Sequence, residues 1–223
     1  MRRLKKNIGL VLALLFFLTG VKPVPARAAA KGSDISAGDL PGSQIYATIS
    51  GDNYGICIMG GLKGEFTVPE KYDGKAINTI EIRDCEELTG VTAGENIKNL
   101  IIQNCDSVNT LTLPASLEEI TIDSCHALKK VTIDKNNKKL ASVYNSVYSK
   151  DYRTLYYYAG IDDTEINLQE GLYEIGFYAF SSCNNVTKIT IPASVYDIGE
   201  FAFCGLDTLK TIEVADGNRN YSI

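Results

Sequence analysis

Cys85, Cys105 and Cys125 stand 20 residues apart, and Cys183 falls on the same pattern further along. Thiolates bind soft metals and act as nucleophiles, so such a set raises both chemistries. The spacing opposes a metal. Tetrahedral zinc sites pair ligands about two to four residues apart, whereas a 20-residue interval sets thiols in a column along a stack. The reading is a structural cysteine ladder of small buried side chains, with no metal site and no cofactor. A secreted chain permits disulfides, and rungs about 4.8 Å apart suit the Cα separation of a bridge. Parallel Cβ vectors, however, sit wider than the about 3.5–4.5 Å a bridge needs. Free thiols are expected.

His126, the single histidine, follows Cys125 and suggests a thiol–imidazole pair. Its equivalents in the other repeats are Glu86, Asp106, Asn184 and Asp207, all polar, so the imidazole should face solvent while the thiol faces inward. No metalloprotease helix motif, phosphate loop, nucleophile elbow or calcium loop is present, and no carboxylate pair is marked out for glycoside hydrolysis. No catalytic residue is assigned, and the chain reads as a non-enzyme. Binding chemistry is more promising. Tyr144, Tyr148, Tyr152, Tyr156, Tyr157 and Tyr158 crowd a short stretch, and tyrosine combines a large contact area with a hydroxyl. Tyr144, Tyr148, Tyr156 and Tyr158 are the candidate ligand-binding residues. The alternative is that half of these rings pack a hairpin onto its support.

The elements that must position these residues are repeats. Ile77-x-x-Ile80-x-Ile82-x-x-Cys85-x-x-Leu88-x-x-Val91-x-Ala93 returns from Ile97 and again from Leu117, in register and without a gap. A fixed period of this length signals a solenoid, in which each unit hides its apolar face by stacking on the next. Each unit has two arms, Ile80/Ile82, Leu100/Ile102 and Ile120/Ile122 on one and Val91/Ala93, Leu111/Leu113 and Val131/Ile133 on the other. Apolar-x-apolar pairs read as short strands with one face inward, so matching strands should stack in parallel as two opposed sheets around one continuous interior. The second arm extends to Phe66/Val68, Ile166/Leu168, Ile189/Ile191 and Ile212/Val214, giving seven rungs, and Pro69, Pro114 and Pro192 end three of them.

Beyond Leu168 the period is 23, as Leu172-x-x-Ile175-Gly176-x-x-Ala179-Phe180 is echoed by Val195-x-x-Ile198-Gly199-x-x-Ala202-Phe203. Here Gly-x-x-Ala-Phe is expected to replace the first-arm strand with a tight turn, glycine permitting the bend and phenylalanine filling the corner. The predicted order is a signal peptide over 1–28, a flexible leader over 29–43 and a solenoid over 44–223. Within the solenoid, 44–65 is an N-terminal hairpin cap, 66–133 holds coils of about 20 residues, 134–165 is a hairpin insertion and 166–223 holds coils of 23. The insertion reads as two strands, Val143 to Tyr148 and Thr154 to Tyr158, joined across Lys150-Asp151.

The signal peptide rests on Arg2, Arg3, Lys5 and Lys6, the apolar run Ile8 to Val21 and the small-residue site Ala26-Arg27-Ala28. That run is 14 residues long, short of the about 20 that span a bilayer. Six of the 22 basic residues lie in the first 28, where no acid lies, leaving 16 against 27 acids and a formal −11 after cleavage. That balance argues against nucleic acid as a partner and disfavours anionic membrane surfaces. No membrane insertion is expected after cleavage.

Leu117-x-x-Ile120-x-Ile122-x-x-Cys125-x-x-Leu128 resembles the leucine-rich-repeat pattern Leu-x-x-Leu-x-Leu-x-x-Asn/Cys. Val186-x-x-Ile189-x-Ile191-Pro192-x-x-Val195-x-x-Ile198-Gly199-x-x-Ala202-Phe203 resembles the BspA-type bacterial subfamily, as does the insertion around Tyr148-Ser149-Lys150-Asp151. The resemblance implies a mainly β, right-handed leucine-rich-repeat solenoid. It also implies a secreted or cell-surface protein mediating adhesion to a host or bacterial protein or glycan. The other reading is a structural repeat module or fragment of a larger surface protein, with end-to-end self-association through the C-terminal coil. The chain stops at Asn218-Arg219-Asn220-Tyr221-Ser222-Ile223, where the subfamily begins another hairpin.

Overall fold

The computed structural model describes residues 34–35, 40, 42–50, 53–160 and 162–222, so the signal peptide and much of the leader lie outside the described residues. The described part of the leader is not free chain. Asp34–Ile35 pairs in parallel with Lys71–Tyr72, Leu40 is buried in the core, and the Ser43 hydroxyl donates to the Gly60 carbonyl at 2.7 Å.

The apolar-x-apolar pairs form two ladders. On the first arm the hairpin Gln44–Ser50/Asn53–Met59 leads into Thr79–Arg83, Asn99–Gln103 and Glu119–Asp123, all parallel after the hairpin. Register is one repeat per rung, with Ile80 opposite Leu100 and Leu100 opposite Ile120. Lys63–Thr67, Glu87–Thr92, Thr110–Leu113 and Lys130–Ile133 form the second arm. Ile80, Ile82, Leu100, Ile102, Leu111 and Leu113 are buried between the two sheets, which is the stabilisation an isolated coil lacks. Asp84, Asn104 and Ser124, each just before a ladder cysteine, carry the corner at positive φ (54°, 52° and 50°). Short polar side chains tolerate that conformation best.

The insertion departs from expectation. It has three strands, Leu140–Val143, Ser146–Ser149 and Thr154–Tyr157, because Tyr144 and Asn145 form a tight turn at φ 48° and 66°. Positive φ at both central residues marks the two-residue hairpin whose twist matches its strands. Nor does the insertion simply project. Thr154–Tyr157 pairs in parallel with Glu174–Ile175, which pairs with Asp197–Ile198. It therefore occupies a rung of the first arm.

The second arm restarts as a separate sheet, Glu165–Asn167, Lys188–Ile191 and Thr211–Val214. All seven rungs exist, but as four and three. The interior is likewise not continuous: one cluster holds Cys85, Cys105, Cys125 and Tyr157, the other Leu155, Phe180 and Cys183. Two buried serines join them. Ser182 Oγ accepts the Cys125 amide at 3.2 Å, and Ser181 Oγ donates to the Ile122 carbonyl at 3.3 Å. These hydroxyls satisfy backbone groups that a neighbouring strand would otherwise pair.

In the 23-residue coils the first-arm strand is shortened to two residues rather than replaced. Gly176 and Gly199 do not have positive φ. Their amides donate at 2.7 Å to the carbonyls of Leu155 and Ile175 one rung back. A Cβ at Gly176 would lie 2.8 Å from the Leu155 oxygen, and one at Gly199 would lie 2.8 Å from the Phe177 nitrogen. Close approach of successive backbones, not bending, requires glycine here. Phe180 does fill the corner and stacks on Phe203 with centroids 5.6 Å apart.

Candidate functional site

The ladder thiols are shielded by burial, and Cys85 differs from the others in that its hydrogen bond with Cys105 lowers its pKa. Cys85, Cys105, Cys125 and Cys183 are buried and free. The first three donate to carbonyls two residues back, at 3.2, 3.2 and 3.4 Å. Cys183 donates to the Tyr158 carbonyl at 3.6 Å. Burial pushes the thiols of Cys125 and Cys183 up to about 12, and Cys57, buried beside Glu81, also to about 12. A thiol that stays protonated is neither a nucleophile nor a metal ligand. Among the described residues no three His, Cys, Asp or Glu side chains gather as a metal would need.

His126 does not pair with Cys125. Its Nδ1 lies 2.5 Å from Asp106 Oδ1, one rung back. It shares a cleft of about 500 Å³ with Asp123, Asn184, Asp207 and Cys204. Cys204, the one exposed cysteine among the six, was not marked by the sequence because it sits outside the ladder spacing.

The larger concavity is a groove of about 670 Å³ between the insertion and the coil after it. Of the four candidate tyrosines, Tyr144, Tyr148 and Tyr158 line it, joined by Tyr152. Tyr144 stands on the hairpin turn and is 91% exposed, while Tyr152 is 53% exposed. Tyr148 lies against the second core cluster, its ring 6.4 Å from that of Tyr152. The Tyr158 ring packs 5.6 Å from Phe180, and its hydroxyl donates to Asp163 Oδ2 at 2.8 Å. Burial, and then the Asp163 carboxylate, push the Tyr158 phenol well above its ordinary range, so it stays a donor. A Cβ on Gly160 would collide with the Tyr158 ring and the Asp163 carboxylate, so the groove wall closes only over glycine.

Tyr156 is elsewhere. Strand alternation turns Leu155 and Tyr157 into the two cores and sends Tyr156 the other way, against the first cluster and near Glu174 and Glu119. The tyrosines therefore divide by environment. Tyr157 is core, Tyr148 and Tyr158 are packed on one side and open on the other, and Tyr144 and Tyr152 are free rims.

Asp151, Asp162, Asp163 and Glu170 also line the groove, against Lys129 as its one cation. Ser149 and the Arg153 amide hold the Asp151 carboxyl below the usual carboxylate range. These acids went unmarked because only folding brings residues from 151 to 170 around one opening.

A comparison with curated proteins finds no match. Among solved structures, a leucine-rich cell surface protein of Faecalibacterium prausnitzii is 16% identical, with a TM-score of 0.40 over 75% of this chain and 76% of that one. A leucine-rich repeat protein of Eubacterium ventriosum is 15% identical, with a TM-score of 0.41 over 78% and 71%. The pneumococcal vaccine antigen PcpA is 16% identical, with a TM-score of 0.37 over 78% and 68%. The family described as BspA type leucine rich repeat region matches residues 66–152 and 152–222 in six copies. Those are the residues whose stacking builds both ladders, and by that match the chain belongs to the BspA-type leucine-rich-repeat family.

Proposed function

We propose that this chain is a secreted or cell-surface binding protein, without enzymatic activity, that adheres to a host or bacterial partner through the tyrosine-lined groove. The observation that carries the reading is the convergence of Tyr144, Tyr148, Tyr152 and Tyr158 on one concavity of about 670 Å³. Large amphipathic rings around a concave, partly apolar surface are the usual make-up of a recognition site. Three further features support it. The family is one of binding scaffolds, the N-terminal segment has the composition of a secretory signal, and burial keeps the Cys125 and Cys183 thiols protonated.

The test is a screen of the secreted chain against matrix proteins, glycan arrays and bacterial surfaces, beside a variant carrying Tyr148→Ala and Tyr158→Ala. Binding that the double variant loses is the expected result. Binding retained by the double variant would place the site elsewhere, and silence on all three panels would remove the reading.

A further inference from the structure

We infer that the occupant of this groove is a cationic polypeptide segment, a lysine or arginine side chain entering between the tyrosines; this rests on the groove being the binding site.

Charge is the first argument. Four carboxylates face the opening, and Lys129 is the single cation lining it. Two basic residues flank Asp151 without lining the groove: Lys150 is exposed beside it, and Arg153 has its guanidinium 4.7 Å from the Tyr173 ring centroid. An anionic or phosphorylated ligand would enter against that field, and one side chain of positive charge offsets it. The formal −11 of the chain after signal cleavage adds a long-range attraction for cations.

The aromatic lining is the second. Ammonium and guanidinium groups are attracted to ring faces, the more so where water is partly excluded. Tyr158 is held for this role from behind: its ring rests on Phe180, and its hydroxyl is tied to Asp163. A cation at that ring meets a π face and a carboxylate together. The long alkyl stem of lysine or arginine would then lie along Tyr148, whose ring is already half desolvated by the core beneath it.

Backbone conformation is the third and is independent of charge. Tyr144 and Tyr152 have φ of 48° and 59°. Left-handed geometry is an outlier for a bulky residue and costs about 1–3 kcal/mol. Glycine or asparagine would relieve it, and the Tyr144 ring, 91% exposed, repays little by burial, while the Tyr152 ring is half covered beside Tyr148. Tyr178 and Phe201 carry the same left-handed φ outside the groove, so what sets Tyr144 and Tyr152 apart is that both rings stand at its rim.

The chain has no tryptophan, so Tyr144→Trp places a single indole at the rim, on a side chain that packs against nothing. This variant is titrated with a peptide alternating lysine and glycine, its arginine analogue, glutamine and glutamate analogues, and a neutral oligosaccharide. Saturable fluorescence change with the lysine and arginine peptides alone is expected, weakening about tenfold or more from about 0.05 to about 0.5 M salt. Asp162→Asn with Glu170→Gln should weaken it about tenfold at low salt, and Tyr158→Leu should abolish it, with circular dichroism unchanged in each. Equal response to the glutamine peptide, or no salt dependence, overturns the inference. If only the oligosaccharide binds and Tyr158→Leu abolishes that, the cationic occupant is wrong while the groove remains the site. If no probe responds and the tyrosine double variant binds its partners normally, both fall.

Discussion

Asn137 is fully buried, and its side chain makes four hydrogen bonds. Its Nδ2 donates to the Pro114 and Leu117 carbonyls at 3.0 and 2.9 Å, and its Oδ1 accepts the Lys139 and Leu140 amides at 2.8 and 2.7 Å. This side chain closes the last 20-residue coil and starts the insertion. Replacing it by alanine leaves four backbone groups to find water in a site that has little room for it. At about 0.5–1.5 kcal/mol net per bond, with partial hydration on the Lys139 side, the cost is about 3–5 kcal/mol. In urea, with a slope of about 2–3 kcal/mol per molar, the midpoint should fall by about 1–2 M. Asn137→Asp should be worse, since a carboxylate oxygen would face two carbonyls. The fold contains its own control. Asn218 repeats the pattern on Pro192, Val195, Asn220 and Tyr221, but in a more exposed setting, so Asn218→Ala should cost about 1–2 kcal/mol. A loss under about 1 kcal/mol for Asn137→Ala, or equal losses at the two positions, would refute the reasoning.

Gly176→Ala or Gly199→Ala forces successive backbones apart and should cost about 1–3 kcal/mol; a melting temperature equal to wild type would contradict the close-approach account. Burial raises the Cys57, Cys125 and Cys183 thiols, so these stay protonated well above neutral pH, while Cys85, lowered by its hydrogen bond with Cys105, is shielded by burial alone; a thiol reagent at about pH 8 should modify Cys204 first. Six thiols should titrate in denaturant, and finding none there would mean that the cysteines are bridged. Gly160→Ala should displace Tyr158 and Asp163 and weaken partner binding about tenfold or more while leaving the melting temperature within a few degrees. Undiminished binding would show that this wall of the groove is idle.

The ladders were readable because their signal is geometric: pairs such as Leu100/Ile102 and Leu111/Leu113 recur at a fixed interval, and one face must be buried. What was missed depends on residues that read normally in one dimension. Val143 to Tyr148 alternates straight through Tyr144-Asn145, a turn without the glycine that usually announces one. Ser181 and Ser182 look like loop polars, yet they satisfy backbone groups across the junction of two cores. Gly176 and Gly199 were recognised, but their need for close approach comes from the neighbouring rung. The tyrosine cluster was visible and its division was not. Strand alternation explains Tyr156 facing away, whereas the groove needs Lys129, the insertion and Glu170 brought together by the stack.

The account stands on Thr154–Tyr157 being a rung of the solenoid rather than an arm that swings free, because that pairing fixes the groove between insertion and coil. Residue-resolved hydrogen exchange on the secreted chain measures it directly. Amides of Thr154–Tyr157 should exchange as slowly as those of Lys188–Ile191, through the same large-scale opening. Exchange there orders of magnitude faster, with the ladders still protected, would mean that the insertion is unattached and that the groove does not persist in solution.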